Sequence, residues 1–197
     1  MSQSNVIFNV PNILTALRLA LSIGVFVLIP LEQFLAATIV FVLAAGTDWI
    51  DGWWARKYSQ VTKLGRIFDP FVDKILICGT YIYLAAIPRS GILPWMAVVV
   101  MGREMLVTVI RSFIEEQGGD FSAKMAGKLK MVFQCVAAVA SLVALRHFEL
   151  AGSTSAALPP WLSWTLTISV WLAVISTVYS GLEYVFAAGR ILSQQGR

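Results

Sequence analysis

Charge is scarce in this chain. Lys, Arg, Asp and Glu make up 13% of its 197 residues, about half the roughly 25% usual for soluble domains. Hydrophobic residues make up 58%, and the mean hydropathy is +0.76. These values leave no room for a separate soluble domain and fit one polytopic membrane domain over residues 1–197. Histidine is nearly missing. His147, beside Arg146 at an expected helix end, reads as a solvated side chain rather than a ligand. Cys78 and Cys135 form no CxxC pair and lie inside apolar runs, where cysteine acts as a small hydrophobe. No disulfide is expected, and the redox compartment cannot be read from them. The chain shows no internal repeat and no low-complexity segment. The first apolar run lacks the basic flank of a signal peptide, so it is read as a retained helix.

What is abundant is apolar length. Six stretches, 13–30, 34–54, 68–87, 93–114, 127–145 and 161–188, approach the ~20 residues of a spanning helix. The expected fold is an all-α membrane protein with six transmembrane helices. Ser2 to Val10 are weakly amphipathic and are expected to lie along the interface before Pro11 turns the chain inward. Trp95, Trp161 and Trp164, near helix ends, read as interfacial anchors. In the third stretch only Ile75 to Ile87 is cleanly apolar, and Pro88 follows. To span, that helix must begin near Asp69. Asp69 and Asp73 then occupy its first turns, while Asp48 and Asp51 occupy the last turns of the second helix. The basic segment Arg56 to Arg66 is expected as the loop joining them. Six spans put both termini on one side. Of the 15 Lys and Arg residues, only Arg89 and Arg146 fall on the other. The positive-inside rule therefore predicts cytoplasmic termini and a cytoplasmic-side active site.

Asp48, Asp51, Asp69 and Asp73 stand out against this background. Four acids at a membrane face are costly unless cations neutralise them. Spacings of i, i+3 and i, i+4 put each pair on one helix face. Four carboxylates match the charge of two divalent ions, and paired metals recur in phosphoryl chemistry. All-oxygen ligation suits Mg2+ or Mn2+ rather than zinc. Gly52 removes a side chain beside two candidate ligands. Gly65 can end the loop and allow close packing. Arg56 is near enough in sequence to meet a bound phosphate with its fork of donors. The plainer alternative is that the acids pair with Arg56, Lys57, Arg66 and Lys74 at a helix–loop boundary.

From Asp48 to Asp73 the chain reads D-x2-D-G-x2-A-R-x8-G-x3-D-x3-D without a mismatch. This resembles the signature of the CDP-alcohol phosphotransferases, integral membrane enzymes of phospholipid synthesis. The resemblance implies attack by an alcohol on the β-phosphate of a CDP-linked donor, with CMP leaving. By position, Asp48, Asp51 and Asp69 would bind metal. Asp73 would bind the second metal or act as the catalytic base. Asp48, Gly52, Arg56 and Thr62 would contact the CDP moiety. The family also suggests a homodimer, and a short chain without a targeting peptide suits a bacterial inner membrane. No nucleic-acid partner is expected.

Two further stretches bear on the acceptor. Asn12, Thr15 and Arg18 recur at i, i+3 and i+6 and give a polar stripe on the first helix; the alternative is a proline turn followed by a snorkelling arginine. Arg103, Arg111, Lys124, Lys128 and Lys130 place five cations at the cytoplasmic ends of helices four and five. Topology alone explains some of them, and the set suggests a pocket for a phosphorylated acceptor. Glu104 reads as a structural ion-pair partner of Arg103. The run Pro11 to Arg18, Arg103-Glu104 with Arg111, and Gly127-Lys128-Leu129-Lys130 with Gln134 resemble family members that use CDP-diacylglycerol as donor and glycerol 3-phosphate as acceptor. Met131 departs from that pattern, where many such members carry threonine. By that resemblance Arg111, Lys124 and Lys128 would hold the acceptor phosphate.

Two alternatives stay open. A sibling enzyme would use inositol phosphate, serine or phosphatidylglycerol. A cation transporter would also cluster intramembrane acids, though transporters favour the bilayer midplane and repeated halves.

Overall fold

The computed structural model describes residues 10–58, 63–116, 125–152 and 156–195. These form six helices: α1 (Val10–Leu28), α2 (Phe34–Tyr58), α3 (Lys63–Ala85), α4 (Pro94–Glu116), α5 (Met125–Leu150) and α6 (Pro160–Gln195). There is no strand among the described residues. The segment Ser2 to Val10 lies outside them except for Val10, which opens α1. Proline sits at or beside the start of α1, α4 and α6, where its missing N–H would have no helical partner anyway.

Two helix boundaries correct the sequence reading. Arg56 to Arg66 is not one loop, because α2 continues to Tyr58 and α3 begins at Lys63. Asp51 therefore stands about 10 Å from the end of α2, and Asp69 about 9 Å from the start of α3, at the ~1.5 Å rise of a helix. Hydropathy marks where apolar side chains stop, whereas helical hydrogen bonding continues through good formers such as Ala55, Arg56 and Lys57. Pro70 lies inside α3, one residue after Asp69. It has no N–H to donate to the Arg66 carbonyl, so α3 lacks one rung there.

Contacts divide the chain into two units, one up to Tyr83 and one from Leu84 onward. In the first, α1 packs on α2. Thr15, Arg18, Ser22 and Val25 form one buried stripe of α1, continued by Ile29 just past its end, and Phe34, Ala37, Phe41 and Ala44 form one of α2. Both stripes have the spacing of an inward helix face. Phe26 of α1 stacks on Tyr83 of α3, with ring centroids 5.5 Å apart and planes 16° from parallel. Gly79 makes room for this contact, since a Cβ there would overlap the Phe26 ring.

In the second unit α6 packs against both α4 and α5. Ala137, Ala140, Ser141 and Ala144 of α5, and Ser169, Ala173, Thr177 and Ser180 of α6, are buried. Small residues of this kind let helix backbones approach closely when lipid supplies no hydrophobic drive. The turn after α3 places Arg89 and Gly91 at positive φ, 67° and 80°. The Ser141 hydroxyl ties that turn to α5 by donating to the Ser90 carbonyl at 2.7 Å.

The outside of these helices is apolar. Trp161, Trp164, Ile175, Tyr179 and Phe186 of α6 are each at least 60% exposed. Soluble monomers rarely show such continuous apolar surface. Leu129–Leu150 and Pro160–Arg190 are long and apolar enough to cross a membrane.

Candidate functional site: an acidic helix pair and a buried cation network

The helical backbone runs unbroken through Asp48, Asp51, Gly52 and Arg56 of α2, and through Asp69 and Asp73 of α3. Asp48 and Asp51 therefore share one face of α2, and Asp69 and Asp73 one face of α3. The side chains of Asp48, Asp51, Arg56, Asp69 and Asp73 lie outside the described residues, as does Thr62 altogether. The donor set fits hard divalent cations: four carboxylates, no thiolate and no imidazole among them. Among the described residues, no three His, Cys, Asp or Glu side chains come together to hold a metal.

On α1, Thr15 and Arg18 belong to the buried stripe, with Arg18 only 2% exposed. An arginine so covered is held by the protein interior rather than by solvent. Ser22, one turn on, donates to the Arg18 carbonyl at 2.8 Å. Asn12 lies in the first turn of α1, with its side chain outside the described residues.

The basic residues of α4 and α5 divide into distinct environments. Lys130 is buried and donates to Glu104, itself 7% exposed, forming an ion pair between α5 and α4. Arg103 approaches the same carboxylate at 3.4 Å. Two cations around one anion leave this cluster with a formal charge of +1. Arg103 also donates to the Ser180 hydroxyl on α6, and its guanidinium stands 5.4 Å from the Tyr184 ring centroid. Gly181 accommodates this path, because a Cβ there would come within 3.2 Å of the Arg103 Cγ. Arg111, two turns further along α4, donates to the Tyr184 hydroxyl at 3.4 Å. Gln134 of α5 donates to Thr177 of α6 at 3.0 Å. Lys128 lies in the first turn of α5 with its side chain outside the described residues, and Lys124 lies outside them altogether.

Sequence reasoning did not single out Thr177, Ser180 and Tyr184. Their signal was present: a polar residue at i, i+3 and i+7 along a largely apolar span.

The chain belongs to the CDP-alcohol phosphatidyltransferase family, whose model matches residues 8–179. It is similar to enzymes named CDP-diacylglycerol–glycerol-3-phosphate 3-phosphatidyltransferase. The one from Bacillus subtilis strain 168 is 35% identical, covering 90% of this chain and 93% of its own length. The Escherichia coli K12 enzyme is 30% identical over 95% of this chain and 99% of its own length. The Pseudomonas fluorescens enzyme is 37% identical over 56% of this chain and 58% of its own.

Proposed function

We propose that this chain transfers the phosphatidyl group of CDP-diacylglycerol to glycerol 3-phosphate, giving phosphatidylglycerol phosphate and CMP. The observation that carries this reading is near full-length similarity to enzymes named for that reaction, together with an unbroken family signature on two consecutive helices. The acceptor hydroxyl oxygen forms a bond to the β-phosphorus as the bond from that phosphorus to the CMP oxygen breaks. Asp73 takes the hydroxyl proton, a role a carboxylate can fill if it lies within hydrogen-bond reach. Asp48, Asp51, Asp69 and Asp73 would hold two Mg2+ or Mn2+ ions. Such ions neutralise charge on the transferring phosphoryl group and the departing CMP. Gly52, Arg56 and Thr62 receive the CDP moiety, with Asp48 beside them, and Arg56 offers its donors to a phosphate. Arg111, Lys124 and Lys128 hold the acceptor phosphate. Arg103 and Lys130, both already engaged with Glu104, add the residual positive charge of their cluster. Asn12, Thr15 and Arg18 contribute a polar face on α1.

The setting proposed is a bacterial inner membrane, with all six helices spanning as a single domain. Both termini and the active site face the cytoplasm, and the chain pairs as a homodimer. The apolar exterior of α6 supports burial in lipid, and the lysine and arginine bias supports the orientation. A C-terminal reporter that works only in the cytoplasm should be active; a silent reporter on an expressed protein contradicts the orientation. The function itself is tested with purified chain, CDP-diacylglycerol, labelled glycerol 3-phosphate and Mg2+. Labelled lipid and CMP should appear in equal amounts, and absence of both overturns the reading.

A further inference from the structure

We infer that Tyr184 is a positioning residue that sets Arg111 for the acceptor phosphate, an inference that rests on the function proposed above. Tyr184 is 2% exposed, so its ring has little freedom. Its hydroxyl is the one side-chain acceptor that Arg111 meets among the described residues, at 3.4 Å. The Arg111 Nε is buried and has no hydrogen-bond partner among them. A guanidinium carries five N–H donors in a planar fork. Among the described residues no other side-chain acceptor meets that fork, while one arm is tethered to a rigid phenol.

The tether is itself braced. Arg103 stands 5.4 Å from the centroid of the Tyr184 ring and donates to Ser180, one turn earlier on α6. Glu104 holds Arg103 in turn and links it to Lys130 of α5. Ser180 is fully buried, and Glu104 and Lys130 are less than 10% exposed. The chain Lys130–Glu104–Arg103–Tyr184–Arg111 therefore passes from a covered ion pair to a cation whose Nε meets no acceptor among the described residues. Such support matters because phosphate binding by arginine depends on the plane of the fork as well as its charge. The hydroxyl adds no charge, so its loss should leave the family chemistry intact and loosen only the grip on the acceptor.

Steady-state kinetics of CMP release test this with Tyr184→Phe, which keeps the ring beneath Arg103 and removes only the hydroxyl. The KM for glycerol 3-phosphate should rise about three- to tenfold, the range for losing one ordinary hydrogen bond. The KM for CDP-diacylglycerol and kcat should stay within about twofold. Glu104→Gln should move the acceptor KM in the same direction, and if that variant fails to fold, Tyr184→Phe still decides. An unmoved acceptor KM, an equal rise in both KM values, or a loss in kcat alone overturns the inference while the proposed function stands. A wild-type chain that releases no CMP with glycerol 3-phosphate overturns the function and this inference with it.

Discussion

Glu104 of α4 and Lys130 of α5 form an ion pair buried within the second unit, with side-chain exposures of 10% and 5%. Arg103 shares the same carboxylate at 3.4 Å. Two cations thus depend on one anion, and the three residues differ in how much is lost when each is removed. Glu104→Leu leaves the buried Lys130 and the part-buried Arg103 without their counter-ion and should cost about 3–5 kcal/mol. Lys130→Met leaves Glu104 paired with Arg103 and should cost less. The double variant should recover part of the loss of Glu104→Leu. Thermal unfolding in detergent micelles checks the order, and equal losses for both single variants would contradict this account of the cluster.

Gly79 should tolerate no larger side chain. Its missing Cβ is the space that the Phe26 ring occupies, and that ring stacks on Tyr83. Gly79→Val should lower stability by about 1–3 kcal/mol through overpacking. Phe26→Ala in the same chain should return part of it. A Gly79→Val variant with an unchanged melting temperature would show that the α1–α3 contact is looser than described.

Asp73→Asn should lower turnover by roughly 10²–10⁴-fold, the usual contribution of a positioned acid or base. The protein should remain folded and membrane-bound, since only a charge is removed. Size-exclusion profile and CMP release together check this. Near-normal turnover would remove Asp73 from the base role.

Lys128→Ala should raise the KM for glycerol 3-phosphate about tenfold, as expected for one charge-assisted contact, with little change in the KM for CDP-diacylglycerol. An unchanged acceptor KM would take Lys128 out of the proposed acceptor site.

Chelation should stop CMP release, and adding back Mg2+ or Mn2+ should restore it, because the four acids offer oxygen donors only. Turnover that persists after exhaustive chelation would contradict the metal-holding role of Asp48, Asp51, Asp69 and Asp73.

The helix plan was legible because each apolar run is long and ends at a proline, glycine or charged turn. α4 begins at Pro94 against an expected 93, and α6 at Pro160 against 161. The ends of α2 and α3 were less legible. Trp53 to Tyr58 and Lys63 to Phe68 are mixed in polarity, so hydropathy stops before the helix does, and α3, expected to begin near Asp69, begins at Lys63. The Arg103–Glu104 pair was readable because the two are neighbours. Lys130 as the second partner of Glu104, and Tyr184 as the meeting point of Arg103 and Arg111, were not. They join residues on different helices, and only packing of α6 against α4 and α5 brings them into contact.

The most direct test of the central claim is CMP release from CDP-diacylglycerol by the purified chain, offered glycerol 3-phosphate, inositol phosphate, serine and phosphatidylglycerol in turn. The account predicts CMP with glycerol 3-phosphate and little with the others. CMP with inositol phosphate but not glycerol 3-phosphate would contradict it, as would cation flux in reconstituted vesicles without CMP release in the presence of any acceptor.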